Sequence, residues 1–123
     1  MANNFKNAGA SGVSTSSGSP TTIYTSNNGG AINNGAVNSI LIELDVANTG
    51  TSAVAASVLL YDNDIGNGSS ASYHIVKDAP IPAGSTMKVV SGQKIVLNDD
   101  DEIRVYATAA TVDVVASILE DVN

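Results

Sequence analysis

From Ile40 onward, apolar and polar residues alternate in short runs. Ile40, Ile42, Leu44 and Val46 fall on one side of an extended chain, and Leu41, Glu43 and Asp45 fall on the other. The pattern returns as Val54, Ala56, Val58, Leu60, then as Ile103, Val105, Ala107, and as Val112, Val114, Ala116, Ile118. Successive side chains on a strand point to opposite faces, so each run predicts a strand with one buried face. The runs are too short and too rich in Val and Ile to read as helices.

Turn residues separate the runs, and together they predict about eight strands, at 21–25, 37–47, 53–61, 71–77, 86–90, 94–97, 102–108 and 112–120. The breaks fall at Asn27–Gly30 with Asn33–Gly35, at Asn48–Thr51, in the polar stretch Asp62–Gly68, at Ser91–Gln93, at Asn98–Asp101 and at Thr108–Thr111. Gly and Asn in such breaks supply positive φ. Pro80 and Pro82 lack the ladder donor, so Pro80–Gly84 is expected to interrupt pairing and to blunt one sheet edge. Short strands with a turn signal every eight to twelve residues or so predict an all-β fold. The expectation is a single antiparallel β-sandwich, jelly-roll or immunoglobulin-like in strand order, with no convincing internal repeat.

The first twenty residues read differently. They are rich in Asn, Ser, Gly, Thr and Ala, with Phe5 and Val13 as the large apolar residues. Such a segment buries too little apolar area to offset its ordering entropy. Residues 1–20 are therefore expected to form a flexible N-terminal arm, and 21–123 the sandwich domain. A lone aromatic in a polar arm suggests a docking anchor, so Phe5, with Lys6 and Val13, is a candidate interface, and Pro80 and Pro82 join it from the body.

Composition narrows the function. The 123 residues make one domain, and the absence of cysteine excludes disulfides and thiolate metal sites. Twelve acidic residues against five basic ones give a formal charge of −7. No basic stripe is present to displace phosphate counterions, so neither nucleic acid nor an anionic membrane is an expected partner. With one Phe, four Tyr and no Trp, the core is light in aromatics, which points to help from oligomerisation. The opening residues have no apolar h-region, and no run approaches membrane-spanning length.

Three clusters bear on chemistry. Asp62 and Asp64, with Asn63 and Asn67, place oxygens at alternate positions, as calcium requires. However, Ile65 occupies a ligand position and no Glu closes the loop, so they are weak calcium candidates and no metal is expected. Asp99–Glu102 reads as a turn with solvated charges. His74 has no second His or Cys beside it and reads as a cross-strand surface residue. No nucleophile elbow or phosphate-cradling loop occurs, so no catalytic residues, no cofactor and no enzymatic activity are expected.

The pieces Met1–Ala8, Thr22–Thr25, Val46–Thr49, Ala79–Ser85, Lys94–Leu97 with the acidic turn and Ile103–Val105, and Val112–Glu120 follow in an order that resembles a group of small virion structural proteins of tailed bacteriophages, of the marine and cyanobacterial type. The resemblance spans nearly the whole chain. It departs at 26–36, where an Asn- and Gly-rich turn replaces a Pro-Ala-Gly type turn. It implies a non-enzymatic capsid decoration or cement protein that binds other virion subunits through its arm and sheet surfaces, or else a neck, tail or baseplate accessory. The implied partners are major capsid or neck and tail proteins and further copies of the chain, as a trimer first. The implied location is the virion, assembled in the host cytoplasm. A carbohydrate-binding β-sandwich is the alternative of another class, resting on Tyr24, Tyr61, Tyr73 or Tyr106.

Overall fold

A computed structural model of the chain describes residues 4–26, 38–62, 71–98 and 100–120. The strands are β1 (Asn4–Ser11), β2 (Thr21–Thr25), β3 (Ser39–Asn48), β4 (Val54–Asp62), β5 (Ala71–Ile81), β6 (Thr86–Leu97), β7 (Glu102–Ala107) and β8 (Val112–Glu120). No helix occurs among the described residues. Pairing is antiparallel and nested: β4 with β5, β3 with β6, β2 with β7, β1 with β8. The chain is thus a long hairpin rolled on itself, with alternate layers going to opposite sheets. One sheet has the order β1-β8-β3-β6 and the other β2-β7-β4-β5. That is the jelly-roll order of an eight-stranded sandwich, which decides between the two strand orders left open by the sequence.

The inner faces meet in one apolar core. Val54, Ala56 and Val58 on β4, all of Ile103, Val105 and Ala107 on β7, and Val112, Val114, Ala116 and Ile118 on β8 are buried, as their alternation predicts. On β3 the phase differs from expectation. Leu41, Leu44 and Val46 are fully buried, while Ile40 and Ile42 are not. The register slips between Leu41 and Glu43 against both neighbouring strands. A bulge there inserts one residue, so side chains three apart, Leu41 and Leu44, face the same way. The same device on β2, between Thr22 and Tyr24, turns the consecutive Ile23 and Tyr24 inward.

One expected break is strand interior, and another begins at Pro82 rather than at Pro80. Residues 86–97 form one strand, in which Gly92 (φ 108°) and Lys94 (φ 63°) take up a bulge opposite the slip in β3. Pro80 does not interrupt pairing but lies within β5, opposite Ala55. Strand β5 is the outermost of its sheet, where a proline can turn its donor-less side to the open edge.

The expected arm contains the first strand of the sandwich. Asn4–Ser11 pairs in unbroken register with β8 over its whole length, and Ala8 and Ala10 pack against the core. The N–H groups of Gly12 and Val13 both donate to the Val112 carbonyl, at 2.9 and 3.2 Å, with Gly12 at φ 79°. This glycine bulge turns the chain inward and delivers Val13, 1% exposed, to the core. Low apolar content did not prevent ordering, because β8 supplies both the hydrogen-bonding template and the apolar floor.

The two ends of the sandwich are tied by buried polar side chains. At one end Asn48, 1% exposed, donates from Nδ2 to the carbonyls of Ser52 (2.8 Å) and Ile81 (3.0 Å), and its Oδ1 accepts from the Gly50 N–H (3.0 Å) and the Thr111 hydroxyl (3.3 Å). One side chain thereby joins the β3–β4, β5–β6 and β7–β8 connections. At the other end the Ser26 hydroxyl donates to the Ser39 hydroxyl (3.0 Å) and the Leu97 carbonyl (3.3 Å), and its N–H donates to the Asp101 carbonyl (2.9 Å).

Candidate functional site

Side chains on β8 alternate strictly: Val112, Val114, Ala116 and Ile118 point inward, so Asp113, Val115, Ser117 and Leu119 point outward. Leu119 lies opposite Phe5 on β1 and Ile40 on β3, and Ile40 lies opposite Val96 on β6. Phe5, Leu119, Ile40 and Val96 therefore form one row that crosses all four strands on the outer face. Phe5 is 80% exposed and Val96 60%, with Leu119 and Ile40 half-buried between them. A shallow depression of about 310 Å³ beside Phe5 is lined by Phe5, Lys6, Asn7, Ser117 and Ile118. Apolar side chains thus adjoin across the full width of the sheet, with the two end residues open to solvent.

Away from this row the face becomes polar. The next rank is Asn7, Ser117, Glu43 and Ser91, followed by Gly9, Val115, Asp45 and Lys88. The Lys88 ammonium bridges Glu43 at 3.4 Å and Asp45 at 3.7 Å. Asp45 Oδ1 is shielded from solvent without a hydrogen-bond donor; the lysine at 3.7 Å makes an ionic approach only. Burial, and then the neighbouring Glu43 carboxylate, raise the Asp45 pKa, with Lys88 opposing.

The candidate interface residues do not converge. Phe5 and Lys6 lie on β1, and Lys6 pairs with Glu120 at 3.5 Å. Val13 is in the core, and this corrects its assignment to an interface: it holds the chain after β1 to the sandwich and presents nothing to a partner. Pro80 and the exposed Pro82 belong to the outer edge of the opposite sheet. Asp62 ends β4, while Asp64 lies outside the described residues. Among the described residues no group of three or more His, Asp or Glu is placed to hold a metal ion.

The second outer face has its own cluster, centred on Leu59. The Arg104 guanidinium stacks 3.9 Å from the centre of the Tyr61 ring and donates to Glu102 at 2.7 Å. His74 Nε2 lies 3.3 Å from the Tyr106 hydroxyl, with the rings edge to face. Tyr24 is not on this surface. It is buried between the sheets, where its hydroxyl donates to Glu120 and contacts Ser39, and burial followed by the Glu120 hydrogen bond raises its pKa.

The alternation argument grouped Ile40 with the inward-facing Leu44 and Val46, and it overlooked Val96 and Leu119. Their signal was present in the runs Ile40–Leu41–Ile42, Ile95–Val96–Leu97 and Ile118–Leu119, where adjacent apolar residues make both faces of a strand apolar. What sequence could not supply was the register that aligns them. Comparison of the sequence with models of known families and with characterised proteins gives no match.

Proposed function

We propose that the chain is a non-enzymatic structural protein of a tailed-phage virion, a capsid decoration or cement protein that attaches through the outer face of the β1-β8-β3-β6 sheet. The observation that carries this reading is the row Phe5–Leu119–Ile40–Val96. Fully burying an exposed side chain of this size contributes roughly 1.5–3 kcal/mol, so covering Phe5 and Val96 would favour attachment through this face. The jelly roll is an architecture of viral capsid domains, and the ordered resemblance described above points the same way. Neck, tail or baseplate positions are alternative seats for the same surface. A glycan-binding module is the second reading, favoured by Tyr61, Tyr106 and His74 on one outer face. Against it, Arg104 already occupies a face of the Tyr61 ring.

The test is co-sedimentation of the purified protein with phage capsids stripped of accessory proteins. Saturable binding that is lost in Val96→Lys and Ile40→Lys, with unchanged circular dichroism, is expected. Absence of the chain from purified virions by mass spectrometry, together with no binding to capsids, necks or tails, would overturn the reading.

A further inference from the structure

The four sheet edges are not equally protected. Strand β6 carries Lys88 and Lys94 and a bulge with Gly92 and Lys94 at positive φ. Strand β5 carries Pro80 and, at Asp78, a φ of 51°. Strand β2 has five residues and a register slip. These are the devices by which natural sheets refuse an added strand. Of these devices strand β1 carries a lysine alone, Lys6, whose charge is paired with Glu120 of its own sheet. Its eight residues run in unbroken register with no proline, no positive φ and no acidic residue, in a chain of net charge −7.

The phase of its hydrogen bonds follows from Gly12, whose N–H bonds to the opposite Val112 carbonyl. Opposed residues in an antiparallel pair exchange bonds at alternate positions. Ala10, Ala8 and Lys6 therefore bond to β8, and Phe5, Asn7 and Gly9 turn their N–H and C=O to the open side. The same three residues present their outward faces beside Leu119, Ser117 and Val115. Gly9 is also bare: it approaches β8 so closely that a Cβ would lie 2.3 Å from the Val114 carbonyl oxygen. Beside it Val115 is left 58% exposed.

We infer that β1 is a homodimer seam, pairing antiparallel with β1 of a second copy of this chain about a two-fold axis at Asn7. In this register Phe5 of each copy lies opposite Gly9 of the other, where its ring covers the bare glycine and reaches Val115. Aromatic cover of an edge glycine is a known stabilising device in sheets. Lys6 falls opposite Ala8, whereas centring the axis one residue earlier sets Lys6 against Lys6. The acidic residues of both copies stay off the seam, so repulsion between them is weakest there. The occupant is a second copy because one strand supplies both the aromatic and the notch that receives it, which is the self-complementarity of an isologous contact. The seam joins two four-stranded sheets into one of eight strands and carries the apolar row onto each half.

The experiment is analytical ultracentrifugation of the full chain, combined with cysteine cross-linking, which the absence of native cysteine makes clean. Wild type is expected to sediment as a dimer at tens of micromolar. Asn7→Pro, which removes a donor aimed at the open side and leaves the bonds to β8, is expected to sediment as a monomer with unchanged circular dichroism. Should that variant fail to fold, Phe5→Ser reads the same contact from an exposed position and is expected to raise the dimer dissociation constant at least tenfold. Oxidised Asn7→Cys is expected to cross-link to itself in most molecules, and Phe5→Cys is not, because its own mate lies four residues away along the seam. A wild-type monomer or trimer at these concentrations, or cross-linking of Phe5→Cys at the level of Asn7→Cys, overturns the inference. Capsid binding by monomeric Asn7→Pro protein would overturn nothing in the proposed virion role, so the two readings fail separately.

Discussion

Single side chains here join connections as well as fill the core. Asn48 satisfies two carbonyls and two donors from three separate turns. Asn48→Leu leaves the Ile81 carbonyl buried without a partner and removes three part-buried bonds, and we expect a loss of about 2–4 kcal/mol in urea unfolding, since a stranded buried polar group costs roughly 1–3 kcal/mol. Tyr24 and Asp45 make predictions in pH. The Tyr24 phenol is held neutral in the folded state, with a pKa above its ordinary 10.0. The folded state then holds the proton more tightly than the unfolded one, so this contribution is complete below pH 10 and is lost as pH rises beyond it. Tyr24→Phe should flatten the fall in stability above that pH, measured by urea unfolding across the alkaline range. Asp45 has the opposite consequence. Its pKa is raised above 3.8, so its ionised form is the less stable one in the fold. Asp45→Asn is expected to stabilise at neutral pH, with the gain vanishing as acid protonates the wild-type carboxyl.

At the scale of elements, β1 is the strand whose existence depends on its neighbour. Its sequence, poor in apolar residues, predicts a flexible segment, yet β8 offers eight paired positions and Ala8 and Ala10 reach the core. Gly9 permits that approach. Gly9→Val places carbon atoms where the Val114 carbonyl stands and should release β1 from the sheet. Hydrogen exchange would show protection lost at Ala8 and Ala10, with β3 and β7 unaffected. The bulges on β2, β3 and β6 belong to the same scale. Each adds one or two residues to one strand, which alternation cannot register, because a bulge reveals itself only against the partner strand.

For the whole molecule, the nested pairing means that the first strand closes the roll against the last. Removing residues 1–20 therefore does not trim an appendage. It strips an edge strand from β8 and removes Val13 from the core, and loss of that buried valine alone costs on the order of 1–3 kcal/mol. We expect the truncated protein to melt at a clearly lower temperature and to aggregate through the uncovered edge of β8, as read by light scattering during thermal unfolding. Phe5→Ser, by contrast, should leave the melting temperature of the isolated subunit within about 2 °C, because its ring is 80% exposed.

The sequence by itself determined the fold class, the positions of β2 and β8 to the residue, and the inward faces of β7, β8 and most of β4. These rest on local alternation and turn chemistry, which the chain carries wherever it goes. It also contained the adjacent apolar pairs that place apolar side chains on one outer face. Only the tertiary structure decided the jelly-roll order, the membership of Asn4–Ser11 in the sandwich, the burial of Val13, and the alignment of Phe5, Leu119, Ile40 and Val96 into one row. Each of these depends on which strand lies beside which and in what register. That is a property of pairs distant in sequence, set by the free energy of closing the whole roll rather than by any segment alone.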